Sequence, residues 1–221
     1  MDNIRAVIFD FDNTLGDRYR YSYDTYRYML KTYLPEVEEN SLLFESMLQD
    51  LALYDEYGNA TPKDHVLKSF ERRYNVKIDI DNFGKWWVEH QYLFTVLFPE
   101  TMETVIKLKE KYKLGILTNG AHIAQWGKVE KSGLLPYMDA VIISGDVGIT
   151  KPDARIFEMM ADQLGVKCDQ CVYVGDTFSC DIVGALNSGM KPIWIWPSER
   201  ARPSDYEVTR ISKLSDLLEI L

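Results

Sequence analysis

The apolar run Ala6-Val7-Ile8-Phe9 stops abruptly at Asp10-Phe11-Asp12-Asn13-Thr14, and this junction constrains the chain more than any other feature. A short β-branched run of this kind reads as a buried strand, and the acidic segment is too polar to extend it. From Pro99 onward the same pattern recurs. Leu114-Gly115-Ile116-Leu117 ends at Thr118-Asn119-Gly120, and Ala140-Val141-Ile142-Ile143 follows. Val172-Tyr173-Val174 ends at Gly175-Asp176, and Ile193-Trp194-Ile195-Trp196 is the last strong strand. Helices are expected over 100–112, 121–131, 153–164 (opened by Pro152), 181–187 and 214–221. Strands alternating with helices imply a parallel sheet with right-handed crossovers. Such sheets bind ligands at the carboxyl ends of their strands. The polar clusters fall there or at the start of a crossover helix.

Residues 17–95 break the alternation and read as four helices. The first, over 19–34, stops before Pro35. The second follows Asn40-Ser41, a capping pair, and ends near Gly58. The third starts with Thr61 as N-cap and Pro62 at the first helical position, and it ends near Asn75. The fourth begins after Asp81 and carries Phe83, Trp86, Trp87 and His90. Four such helices suit a small bundle. The expected organisation is an α/β core, with a Rossmann-like parallel sheet flanked by helices, over 1–16 and 96–221, interrupted by an α-helical insertion over 17–95.

Charge and cysteine content narrow the function. The 25 Lys+Arg against 34 Asp+Glu give a net charge of −9, which disfavours nucleic acid as a partner. Three cysteines are too few for a disulfide framework and fit a reducing, cytoplasmic setting. The acidic N-terminus does not read as a signal peptide, and no stretch reaches the ~18 apolar residues of a membrane span.

Four polar clusters carry the chemistry. Asp10 and Asp12, one residue apart beyond a strand, suit a nucleophile and a proton donor in one crevice. Thr118 and Asn119 offer a hydroxyl, an amide and backbone N–H groups to an oxyanion. Lys151, in Lys151-Pro152-Asp153, suits neutralisation of an anionic oxygen and a nearby aspartate. Asp176 and Asp181 are oxygen ligands of the kind Mg²⁺ takes; Asp181 also suits a helix N-cap. Asp10-x-Asp12, Thr118-Asn119 and Lys151-Pro152-Asp153, each taken alone, read more simply as an ordinary turn or cap, and only the ordered set is specific.

That set resembles the haloacid dehalogenase superfamily. The matching stretches are Asp10-Phe11-Asp12-Asn13-Thr14-Leu15, Thr118-Asn119-Gly120, Lys151-Pro152-Asp153 and Gly175-Asp176-Thr177-Phe178-Ser179-Cys180-Asp181. The helical insertion matches the α-helical cap that this family places after its first motif, so the resemblance covers nearly the whole chain. It implies that Asp10 forms an aspartyl-phosphate, and that Asp12 protonates the leaving group and then activates water. Thr118 and Asn119 would bind the phosphoryl group, and Lys151 would steady Asp10. Asp10, Asp12 (through its backbone carbonyl), Asp176 and Asp181 would hold Mg²⁺. Thr14 would brace the loop. The dehalogenases lack the second aspartate and use no magnesium, and phosphonate hydrolases lack the acid/base aspartate. Asp12 therefore points to phosphate esters.

The expected activity is Mg²⁺-dependent hydrolysis of a small phosphorylated metabolite, such as a nucleoside monophosphate or a sugar phosphate. A β-phosphoglucomutase-like phosphomutase and a non-catalytic phosphate-ligand binding protein are the alternatives, and a monomer and a homodimer are both open. The cap would cover the crevice and choose the leaving group. Its first helix is crowded with Tyr19, Tyr21, Tyr23, Tyr26, Tyr28 and Tyr33, as crevice contacts or as cap interior. Arg18 and Arg20 are candidates for an anionic substrate group, His122 for a place in the site, and Cys180 for oxidation sensitivity.

Overall fold

A computed structural model describes residues 3–58, 62–196 and 205–221. The chain divides into two compact units, Met1–Asp17 with Leu97–Leu221, and Arg18–Val96. Strand β1 (Ala6–Phe9) opens the first unit. Helices α1 (Arg18–Tyr33), α2 (Leu42–Tyr54), α3 (Asp64–Tyr74) and α4 (Phe83–His90) make up the second. The first unit resumes with α5 (Thr101–Lys109), β2 (Lys113–Thr118), α6 (His122–Lys131), β3 (Ala140–Ile143), α7 (Ser144–Val147) and α8 (Ala154–Leu164). It ends with β4 (Cys171–Gly175), α9 (Val183–Ser188), β5 (Lys191–Ile195), β6 (Thr209–Ile211) and α10 (Leu217–Ile220).

Among the described residues, six strands form one parallel sheet in the order β3-β2-β1-β4-β5-β6. Strand β1 is central, and all four of its residues are sealed from solvent. Val7 and Phe9 join an apolar cluster with Ile116, Val174 and Ile195, while Ala6 and Ile8 join a second with Leu117, Phe157 and Met160. Alternate residues of β1 thus enter different cores, which explains a continuous apolar run where a one-sided strand would alternate. Each enclosed Val, Ile or Phe side chain contributes about 1.5–3 kcal/mol. The chain runs β1 to β2 to β3 on one side and β4 to β6 on the other, so the strand order reverses between β1 and β4. A crevice at the strands' carboxyl ends opens at such a reversal.

The helical unit has its own core. Tyr26 lies 4.7 Å from Trp87 between ring centroids, and Met29, Leu48, Phe70 and Phe83 belong to the same buried cluster. Of the tyrosines, Tyr21 and Tyr26 are fully buried, and the Tyr33 hydroxyl accepts from Trp86 Nε1. Trp86 and Trp87 are both buried. Asp55 is enclosed here too, and it accepts a hydrogen bond from Lys63, whose ammonium also sits 4.5 Å from the Trp87 ring centroid.

The element boundaries differ from the sequence expectation at identifiable places. Helix α3 starts at Asp64 after Lys63, so Pro62 precedes the cap; Thr61 lies outside the described residues. Helix α2 ends at Tyr54 with Asp55 as its C-cap, earlier than Gly58, and a short 3₁₀ turn (Glu56–Gly58) follows. Helix α8 is capped by the Asp153 side chain, which accepts from Arg155 N, so Pro152 again precedes the cap. Asp181 falls in a single π-type turn (Phe178–Ile182) that leads into α9. Strand β6 was not expected: it is three residues long, and two of them are exposed.

Candidate active site

Asp10 is the first residue beyond β1, and its N–H donates to Val174 O at 2.9 Å, which ties it to β4. Thr118 ends β2, and Asp176 follows β4. Asp181 reaches the same place because Gly175 carries no side chain: a Cβ there would lie 2.4 Å from Asp181 Cγ. Lys151 comes from the segment between α7 and α8. The register of three neighbouring strands therefore gathers residues from four distant stretches. Asp10, Asp12, Thr118, Lys151, Asp176 and Asp181 are all buried.

Lys151 is the node. Its Nζ donates to Asp10 Oδ1 at 2.7 Å, to Asp181 Oδ1 at 2.7 Å and to the Tyr173 hydroxyl oxygen at 2.9 Å. All three ammonium protons are thereby used. Asn119 fixes the Lys151 backbone from both ends of its amide: Oδ1 accepts from Lys151 N at 2.9 Å, and Nδ2 donates to Lys151 O at 3.1 Å. The resemblance placed Asn119 beside Thr118 as a phosphoryl-binding residue. In the structure that amide is committed to positioning Lys151. Asp181 Oδ2 accepts from Thr177 N at 2.9 Å, and Asp176 accepts from Thr177 Oγ1 at 3.0 Å and from Asn13 Nδ2 at 3.4 Å.

Asp12 belongs to a separate network. Lys128 Nζ donates to both of its oxygens, at 2.8 and 2.9 Å, and Gln125 Nε2 lies 3.2 Å from Oδ2. The same Gln125 amide nitrogen lies 3.0 Å from Thr118 Oγ1 and 2.7 Å from Asn119 O. Gly120 permits this approach, since its φ is +148° and a Cβ would meet Gln125 Cγ at 2.8 Å. Gln125, Lys128 and Tyr173 were not singled out from the sequence. No local signal marked them: a strand tyrosine reads as apolar filling, and a lysine three residues from a glutamine on the helix after Thr118 reads as a solvated face. Thr14 is buried, but its hydroxyl has no hydrogen-bond partner among the described residues, so any bracing of the loop is through packing.

The carboxylates of Asp10, Asp176 and Asp181 place ligand oxygens within 4.8 Å of one another; the Asp12 carboxylate is outside this group. Burial, opposed by Lys151 and reinforced by Asp181, Asp176 and Asp12, pushes Asp10 up to about 7. Burial and then Asp181 raise Asp176 to about 6. Burial pulls the Lys151 ammonium down, but Asp10 and Asp181 outweigh it and hold Lys151 charged. The surplus negative charge therefore rests on the carboxylates. Three carboxylates face one ammonium, a deficit that one hard divalent cation would make good.

A pH dependence follows for the metal-free protein. Both carboxyls have a folded value above the ordinary 3.8, so between about pH 4 and 7 the folded state binds more protons than the unfolded state. Stability contributed by these groups is present below that window and is lost as pH rises through it. The melting temperature of EDTA-treated protein is expected to fall between pH 5 and 7.5, by the equivalent of a few kcal/mol. A curve that is flat or rises across that interval would contradict the raised values.

His122 is exposed, hydrogen-bonded to Asp146 at 2.9 Å and stacked on Trp126. Arg20 pairs with Asp24 within α1 at 2.9 Å. The three cysteines are free. Burial and then Asp181 push the Cys180 thiol up, which lowers the thiolate fraction that oxidation requires and argues against a redox-sensitive Cys180.

A family profile described as haloacid dehalogenase-like hydrolase matches residues 7–195. The glyceraldehyde 3-phosphate phosphatase of Methanothermobacter thermautotrophicus is 32% identical over 99% of this chain and 100% of its own. The one from Pyrococcus furiosus is 30% identical over 99% and 95%. The magnesium-bound HAD-hydrolase YfnB of Bacillus subtilis superposes with a TM-score of 0.78 at 21% identity, over 99% of this chain and 98% of its own. With its four polar clusters gathered at one end of a parallel sheet, and a family profile that spans most of its length, the chain belongs to the haloacid dehalogenase-like hydrolases.

Proposed function

We propose that this protein is a magnesium-dependent phosphatase of a small phosphorylated metabolite, of the triose phosphate class, and that it works through an aspartyl-phosphate on Asp10. The observation that carries the reading is the division of the two motif carboxylates. Asp10 sits in the Lys151 cluster with Asp176 and Asp181, while Asp12 is held apart on Lys128. One carboxylate is thus equipped to bind charge and attack, and the other to handle protons. The relatives named as glyceraldehyde 3-phosphate phosphatases, matched end to end, support hydrolysis over the phosphomutase alternative and suggest the substrate class.

In this reading an Asp10 oxygen attacks phosphorus, the phosphorus–oxygen bond to the leaving group breaks, and Asp12 gives the departing oxygen its proton. Water then attacks the acyl phosphate as Asp12 takes a proton from it. Inorganic phosphate leaves, and the Asp10 carboxylate is regenerated. The Thr118 oxygen accepts from Gln125 and so keeps its own proton for a phosphoryl oxygen. Lys151 holds Asp10 in place and offsets its charge. A magnesium ion held by Asp10, Asp176, Asp181 and the Asp12 backbone carbonyl would offset the repulsion between carboxylate and phosphate.

The test is phosphate release from a panel holding p-nitrophenyl phosphate, nucleoside monophosphates, hexose phosphates and glyceraldehyde 3-phosphate, with Mg²⁺ and with EDTA. Release is expected to fall at least ~100-fold in EDTA, with the highest kcat/KM on the triose phosphate. Isomerisation without net release would favour the mutase, and tight binding without turnover would favour a binding protein.

A further inference from the structure

We infer that Lys128, assisted by Gln125, is the positioning residue for the proton-handling carboxylate Asp12. The inference rests on the phosphatase reading and deepens it. Lys128 is only 2% exposed, yet it carries an ammonium, and such a group is kept inside a fold only against a partner. Its partner is Asp12, gripped through both oxygens at 2.8 and 2.9 Å. A carboxylate held at two oxygens by one cation cannot turn about its last bond without breaking a charge-assisted hydrogen bond.

Helix α6 makes the clamp specific. Gln125 and Lys128 are three residues apart, so they stand on one face of the helix. That helix starts just after Thr118, and the Gln125 amide joins Asp12 Oδ2, Thr118 Oγ1 and Asn119 O. One rigid segment therefore sets both the group that would meet the phosphoryl oxygens and the carboxylate that would serve the leaving oxygen. Lys151 does none of this: its ammonium protons go to Asp10, Asp181 and Tyr173. The two buried lysines divide the carboxylates between them, Lys151 serving attack and Lys128 serving proton transfer. Positioning of this kind acts on the step in which a proton must reach a departing oxygen in one orientation.

The experiment compares kcat/KM, which reports steps up to leaving-group departure, for an alkyl phosphate and for p-nitrophenyl phosphate. The alkoxide needs a proton to leave; p-nitrophenolate does not. Lys128→Met keeps the side-chain length and removes the charge. It is expected to lower kcat/KM for the alkyl ester by ~10²-fold and for p-nitrophenyl phosphate by less than ~10-fold. Adding Lys128→Met to Asp12→Asn is expected to cost nothing further on either ester, because the lysine acts through Asp12. Thermal unfolding of each variant reports the fold. If the single variant does not fold, the double variant, which buries no unpaired carboxylate, still decides. Equal losses on both esters, no loss on either, or losses that add in the double variant would overturn the inference. Wild-type protein that releases no phosphate with Mg²⁺ would instead overturn the phosphatase reading on which it stands.

Discussion

Asp10→Asn is expected to lower kcat for phosphate release by at least ~10⁴-fold, while raising the melting temperature of the metal-free protein at pH 8. The two effects have one cause. Asparagine fills the same space, and its Oδ1 can still accept from Lys151 Nζ, which lies 2.7 Å from Asp10 Oδ1. What disappears is the negative charge. An amide oxygen is too poor a nucleophile to form an acyl phosphate at phosphorus, so the proposed first step has no attacking group. The same charge burdens the fold. Burial pushes Asp10 up to about 7, so at pH 8 the protein pays to hold it ionised beside Asp181, Asp176 and Asp12. A neutral side chain removes that cost, and a gain of ~2–8 °C at pH 8 is expected. At pH 5, where Asp10 is protonated in the folded state, the gain should shrink. Phosphate release and differential scanning calorimetry on one preparation check both halves. A variant retaining more than about a hundredth of the activity, against the loss expected for a missing nucleophile, would make another group the nucleophile. A lowered melting temperature at pH 8 would mean that the pairing with Lys151 outweighs the burial cost.

The strand ends were legible because β1, β2 and β4 lie inside the sheet, where both faces are apolar and a polar residue can appear only where the strand stops. Asp10, Thr118 and Asp176 announce themselves by that contrast. Lys151 and Asp181 were legible only as members of an ordered set, since neither ends a strand. Gln125, Lys128 and Tyr173 were hidden for a different reason. Lys128 meets Asp12 across 116 residues of chain, and on α6 a lysine three residues from a glutamine looks like a solvated face. Only the fold reveals that this face turns inward. Tyr173 hides in the opposite way: a strand tyrosine reads as apolar filling, while its hydroxyl lies 2.9 Å from Lys151 and 3.1 Å from Asp181. Strand β6 escaped notice because an edge strand with two exposed residues leaves no apolar run to read.

Lys151→Met is expected to destabilise the metal-free protein by about 3–5 kcal/mol at pH 8 and to lower kcat/KM by ~10²–10³-fold. Methionine fills nearly the same volume, so the loss is electrostatic. Asp10 and Asp181 each lose an ammonium donor at 2.7 Å, and the Tyr173 hydroxyl loses one at 2.9 Å. With Lys151 gone, nothing opposes the burial and like-charge repulsion that already raise Asp10, so its carboxyl moves up further from about 7. The folded protein can then shed uncompensated charge only by taking up protons. Urea unfolding should therefore show a large loss at pH 8 and a small one at pH 5. A cavity or a packing defect would cost the same at both, and that outcome would assign Lys151 a steric role instead. Magnesium sharpens the distinction. A divalent ion drawn to Asp10, Asp176 and Asp181 neutralises the same carboxylates, so millimolar Mg²⁺ should return part of the stability lost at pH 8. It should return little of the activity, because a bound metal does not replace an ammonium that orients the attacking oxygen. Stability recovered without turnover would separate the two tasks of Lys151, neutralising the cluster and aiming Asp10.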